Sequence, residues 1–113
     1  MEIIKTNVTD KKALYRLTHS QSARKVQDLV GQVIAVNDYV LYLDGDAPEA
    51  GEEDKRKRVL ALDINGEAYG TISKTLIDSL LDILDYFDPA DWQVEIRAGT
   101  SKNGRQFIYA VVM

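Results

Sequence analysis

Asn65-Gly66-Glu67-Ala68-Tyr69-Gly70-Thr71-Ile72-Ser73-Lys74-Thr75-Leu76 reads as a turn, a short strand and the capped start of a helix. Asn and Gly both tolerate positive φ, so Asn65-Gly66 is a hairpin turn. Ala68, Gly70 and Ile72 then alternate with Glu67, Tyr69 and Thr71, the period of a half-buried strand. This reading puts the first set inward and Tyr69 outward. The Ser73 hydroxyl is placed to cap the free N–H groups of a following helix. That helix carries Leu76, Ile77, Leu80, Ile83, Leu84 and Phe87 at three- and four-residue spacings, with Asp78, Asp82 and Asp85 opposite. It therefore lies on a surface with one apolar face.

Upstream of the turn, Val59 to Ile64 is the pairing strand, with Leu60, Leu62 and Ile64 on one face. Before it runs the longest β-rich stretch, Gln32 to Leu43, interrupted at Asn37-Asp38, where a bulge or bend is expected. A long bent strand can serve both sheets of a small barrel. Downstream, Asp88-Pro89-Ala90-Asp91 stops the helix. Trp92 to Ala98 alternates as a fourth strand, with Trp92, Val94, Ile96 and Ala98 inward. Gln106 to Val112 is the fifth, reached through a loop around a second Asn-Gly.

In the first thirty residues the pattern is weaker. Ile3 and Ile4 suit an edge strand, and Ala13 to Thr18 a short strand. His19 to Val30 reads as a short helix, with Ser20 and Ser22 as caps and Gly31 as its stop. Three strands, a helix and a two-strand hairpin form the layout of the OB-fold, a five-stranded Greek-key barrel. The expectation is thus an all-β fold with one or two short helices, the main one between strands three and four. Residues 1–113 are read as one OB-fold domain with an N-terminal helical extension over about 1–30.

The chain has 113 residues, with 45% hydrophobic and 28% charged, as in an ordinary globular protein with one core. No apolar run approaches the ~20 residues of a membrane span, no signal-peptide block opens the chain, and no membrane partner is expected. With no cysteine there are no disulfides and no thiolate metal sites, which suits a cytosolic setting. The net charge of −4 is unevenly spread. Residues 44–58 carry six acids followed by four bases, and residues 59–91 carry seven acids and only Lys74. Both ends of the chain are locally basic, so a one-sided nucleic-acid surface remains open.

Enzyme chemistry finds little support. There is neither a Gly-rich phosphate loop followed by Lys nor a nucleophile elbow. His19 is the only histidine and reads as a surface or turn residue. Asp78, Asp82 and Asp85 have no Lys or Arg partner on their helix and read as a solvated face. The acidic stretch Asp44 to Asp54 lacks the ligand spacing of an EF-hand and reads as a mobile loop. One functional reading is that it competes with DNA for the neighbouring cations.

Lys55, Arg56, Lys57 and Arg58 lie where an OB barrel has its first binding loop, and Lys102 and Arg105 where it has the other. Lys74 and Arg97 add cations on the intervening elements. An outward Tyr69 would stack on a base in the usual binding face. Phe107 and Tyr109 also face outward; packing is the first reading for both, with Phe107 kept among the contact candidates. Tyr39 and Tyr42 have no readable register, and Trp92 reads as core.

The half of the chain from Asn65 onward resembles the single-stranded DNA-binding proteins of small tailed bacteriophages with protein-primed replication. The residues that carry this are the "NGEAYGTISKT" passage, the Asp-rich helix and the ending "GTSKNGRQFIYAVV". The resemblance implies an OB-fold that coats displaced strands without sequence preference or catalysis. It carries over onto Tyr69 as a stacker and onto Lys102 and Arg105 as loop contacts. The basic cluster and acidic loop lie outside it.

The candidate DNA contacts are therefore Lys55, Arg56, Lys57, Arg58, Tyr69, Lys74, Arg97, Lys102, Arg105 and Phe107, with no catalytic residue, cofactor or metal. Expected partners are single-stranded DNA, phage replication proteins and further copies of the chain through Ile3, Ile4 and Leu14. The expected location is the cytoplasm of the bacterial host. Two other readings stay open: an OB-type protein-interaction module, and a small hydrolase or nuclease using Asp63 and the helix carboxylates with a divalent metal.

Overall fold

The Asn65-Gly66 turn has φ of 54° and 83° at its two residues, both in the left-handed region that a two-residue hairpin of this type requires. The computed structural model describes residues 1–19, 24–86 and 93–113. Along these run β1 (Glu2–Thr6), α1 (Lys11–His19), β2 (Arg24–Lys25), a 3-10 turn (Val26–Leu29), β3 (Val33–Ile34), β4 (Asp38–Asp44), β5 (Lys57–Ile64), β6 (Glu67–Thr71), α2 (Lys74–Tyr86), β7 (Val94–Thr100) and β8 (Gln106–Val112). The fold is mostly β, with few helices. The strands form two sheets, ordered β1-β4-β5-β6-β2 and β3-β7-β8.

The tight hairpin sets the register of everything beside it. With Ile64 opposite Glu67, Leu62 falls opposite Tyr69 and Leu60 opposite Thr71. Directly opposed residues of an antiparallel pair share a face. Tyr69 and Thr71 therefore point into the core that Leu60, Leu62 and Ile64 enter, and Tyr69 is only 7% exposed. This reverses the expected orientation, since Ile72 is 57% exposed and Ala68 and Gly70 lie on the opposite face of the sheet.

That opposite face is covered in part by α1. The stretch Ala13–Thr18 is helical rather than extended because Leu14 and Leu17 fall on one side at helical spacing. Asp10 caps it: its side-chain Oδ1 accepts the Lys12 N–H at 3.3 Å. Leu17 packs with Val40 and Ala61, flanked by Val8, Leu14, Tyr42 and Ala68. β4 and β5 are thus covered on both sides, which is why Val59 to Ile64 is apolar at nearly every position. The exception, Asp63, is buried with purpose. It accepts the Arg16 guanidinium of α1 and, through Oδ1, the Gly66 N–H at 2.9 Å.

The main core lies between the five-stranded sheet and α2, with Val94, Ile96 and Ala110 closing it from the second sheet. Leu76, Ile77, Leu80 and Ile83 of α2 are buried, as their spacing predicts. The helix starts where expected, with the Leu76 N–H donating to Ser73 Oγ at 3.4 Å.

Gln32 to Leu43 is two strands, not one. The chain leaves β3 in the smaller sheet and enters β4 in the larger, with the break at residues 35–37 beside the Asn37-Asp38 irregularity. The expected service to both sheets holds. A closed five-stranded barrel does not. The edge of β8 that would complete it is occupied by α2: Thr75 Oγ1 donates to the Ile108 carbonyl at 3.0 Å, and Ser79 Oγ accepts the Ala110 N–H at 2.9 Å. The matching edge of β6 is taken by β2 in parallel pairing, Arg24 opposite Tyr69 and Lys25 opposite Gly70.

β1 pairs with β4 at the sheet edge, as Ile3-Ile4 suggested. Within the span expected as a helix over His19–Val30, His19 ends α1, Arg24–Lys25 form β2, and Val26–Leu29 form the 3-10 turn, whose Val26 and Leu29 are buried; Ser20 and Ser22 lie outside the described residues. So do Phe87, the Asp88–Asp91 stop and Trp92. Ala98, expected inward, is exposed.

Candidate nucleic-acid interface

Three surface depressions share lining residues and so form one path. The largest, about 710 Å³, is lined by Arg56, Lys57, Arg58, Ile72, Lys74 and Asp78. Lys74 also lines a second of about 430 Å³, together with Ser73, Thr75, Ser101, Arg105, Gln106, Phe107 and Ile108. Ile72 also lines a third of about 360 Å³, with Lys25, Gln27, Gly70 and Thr71. The path thus runs from β2, across the β6–α2 junction, to the edge of β8.

Local folding explains this placement. β6 ends at Thr71 and α2 starts at Lys74 with Ser73 as its cap, so Ile72 and Lys74 stand exposed at the junction. Lys57 and Arg58 belong to β5, opposite Asp44 and Leu43 of β4, so the basic run is half loop and half strand. Arg105 sits in the β7–β8 turn, whose Ser101 N–H donates to the Arg105 carbonyl at 2.8 Å. Phe107 lies across from Gly99, and its ring fills the space that a side chain there would need. A Cβ at Gly99 would come within 2.6 Å of Phe107 Cζ. Beyond Phe107 the Tyr109 ring follows at 5.6 Å between centroids. Both rings are half-buried on the outer face of the smaller sheet.

The cations differ in how far they are committed. Among the described residues Lys25, Lys57, Lys74 and Arg105 make no ion pair, whereas Arg58 meets Asp78 at 2.9 Å and Arg56 meets Asp54 at 2.8 Å and Glu2 at 3.4 Å. The hydrogen bonds from Arg56 hold the Asp54 carboxyl down to about 2. The helix carboxylates are therefore not simply solvated: Asp78 holds Arg58, and Asp85 holds Lys5 at 2.6 Å.

Of the ten candidate contacts, Arg56, Lys57, Arg58, Lys74, Arg105 and Phe107 line the path. Lys55, Arg97 and Lys102 line none of the three depressions, and Arg97 is paired with Glu95. Tyr69 is in the core, its hydroxyl 3.4 Å from Glu67. Lys25, Gln27, Gly70 and Ile72 are lining residues that the sequence reading passed over. Lys25 and Gln27 had been assigned to a helix, and Gly70 and Ile72 to the core. His19 is at the exposed end of α1, its ring stacked on Tyr15 at 4.2 Å.

A family model described as Phage Single-stranded DNA-binding protein matches residues 4–112. The chain belongs to that family. The match extends through the N-terminal half, where the sequence resemblance rested only on the expected strand layout. Members of this phage family bind single-stranded DNA in replication and are not catalysts. The Asp63 carboxylate that a nuclease reading would need is engaged by Arg16 and Gly66. Among curated proteins and among solved structures, nothing matches the chain. No helix among the described residues is long and apolar enough to cross a membrane.

Proposed function

We propose that the chain binds single-stranded DNA without sequence preference along the path from Lys25 to Phe107, and so coats strands displaced during phage replication in the host cytoplasm. The observation that carries this is the sharing of Ile72 and Lys74 among three depressions, which turns scattered cations into one continuous track. Lys25, Lys57, Lys74 and Arg105 neutralise phosphates, the dominant and salt-sensitive part of such binding. Phe107, with Tyr109 behind it, offers a ring face on which any base can stack for ~1–3 kcal/mol.

The pairing order supports an OB reading of this site. β4-β5-β6 and β7-β8 are its two hairpin units, the chain from β3 to β4 joins the sheets, and α2 stands between β6 and β7. The result is an OB barrel opened between β6 and β8, with residues 1–30 as an extension added to one unit. Its two binding loops are 45–56 and 101–105, and both contribute to the path. The exposed Ile3 and Ile4 of β1 are available for contact with further copies or with other replication proteins.

Titration of the protein's intrinsic fluorescence with an oligothymidine at two salt concentrations, with duplex DNA as control, tests the reading. Quenching by the single strand that weakens with salt and is absent with duplex supports it. Failure to bind the single strand at low salt rejects it and leaves a protein-interaction module.

A further inference from the structure

The smallest depression is built unlike the other two. Its floor is Gly70, with Lys25 directly opposite in the parallel pairing of β2 and β6. Ile72, two residues on, is on the same face of the strand. Gly70 has no positive φ, so its backbone does not call for glycine. A Cβ there would meet no heavy atom within 4 Å. The missing side chain leaves open a hollow of about 360 Å³, at the small end of ligand sites. Beside it, Gln27 Oε1 is buried with no hydrogen-bond partner among the described residues. A buried acceptor without a donor is costly and calls for one.

Resting on the single-strand reading above, we propose that this hollow seats one nucleobase of the bound strand. The ring lies over Gly70 against the Ile72 side chain. The Gln27 side chain lines the hollow and turns its buried amide oxygen into it to accept an N–H of the base edge, and the adjoining phosphate meets Lys25. Each of the four bases presents an N–H donor, so the seat accepts any of them. The amide can also turn to offer its NH2 to a base acceptor.

Two variants fill or blunt the seat without touching the core. Gly70→Val places a strand-favouring side chain in open space, and Gln27→Leu removes the orphaned acceptor. Each is compared with the unsubstituted protein in binding to an oligothymidine and to an all-abasic strand of the same length, alongside urea unfolding. The unfolding midpoint is expected to stay or rise for both variants, while the oligothymidine Kd rises about 10-fold, the loss of one base contact. Binding of the abasic strand is expected to be unchanged. If both variants bind oligothymidine as the unsubstituted protein does, the seat is absent and the wider reading stands. If they weaken the abasic strand equally, the hollow carries backbone and not a base, which also overturns the proposal. Should Gly70→Val lower the unfolding midpoint, Gln27→Leu alone decides. An unsubstituted protein that binds neither strand defeats the function itself.

Discussion

Tyr69, expected to face outward, is in the core, and Phe107, first read as packed, lines a surface depression; the reason is local. Alternation along 67–72 is compatible with either face inward, and the small residues were assigned to the core. Yet the two-residue turn and the choice of Leu60, Leu62 and Ile64 as core together place Tyr69 opposite Leu62. The register was legible; it needed the turn to be counted through. Tyr69→Ala is accordingly expected to cost ~3–5 kcal/mol in urea unfolding, the range for removing a buried ring. Phe107→Ala should change stability much less but weaken oligothymidine binding by ~1–3 kcal/mol. The reverse pattern in unfolding and binding titrations would return the stacking role to Tyr69. No sequence pattern announced that Gly99 makes room for the Phe107 ring, because a cross-strand partner is invisible until the hairpin register is known. Asp54 offers a pH test at the same scale. Its folded value of about 2 lies below the ordinary 3.8. What the Arg56 contact contributes is therefore fully present above pH 3.8 and lost as pH falls through about 2. An NMR titration should place the Asp54 midpoint near the lower value, and Arg56→Gln, which removes the guanidinium but keeps the backbone N–H bond, should raise it part of the way back.

Elements with one strong period were readable; those that answered to a second layer were not. α2 shows its buried stripe and its Ser73 cap in the sequence alone. α1 hid because nine residues in a basic segment give little period, and what fixes it is a partner 47 positions away, Asp63. The paired helix carboxylates also depended on distant residues, since Arg58 reaches Asp78 from β5. This pairing makes a directional prediction. Asp78→Asn frees Arg58 and should tighten oligothymidine binding by a few tenths to ~1 kcal/mol, the size of an exposed pair. Asp82→Asn, on the same helix without an ion pair among the described residues, controls for the change in net charge. Equal tightening by both in a binding titration would mean that only bulk charge matters.

At the scale of the whole molecule, the order of strands and helix was legible and the closure was not. Side chains of α2 hold the β8 edge, and β2 covers β6, so two sheets share a core without closing. That opening places the β6–α2 junction at the surface and aligns the cations of both loops with Lys25, which composition alone could not do for a chain of net charge −4. The central claim is that a single strand follows this track. The most direct test is the salt dependence of oligothymidine binding for the unsubstituted protein, Lys74→Gln, Arg105→Gln and Lys12→Gln, the last on α1 and lining none of the three depressions. With four cations on the path that make no ion pair among the described residues, log K should fall against log salt with a slope of about −3. Lys74→Gln and Arg105→Gln should each weaken binding and flatten that slope by about 0.7, while Lys12→Gln leaves both unchanged. Equal slopes for all four proteins, or a loss at Lys12 matching that at Lys74, would contradict the account.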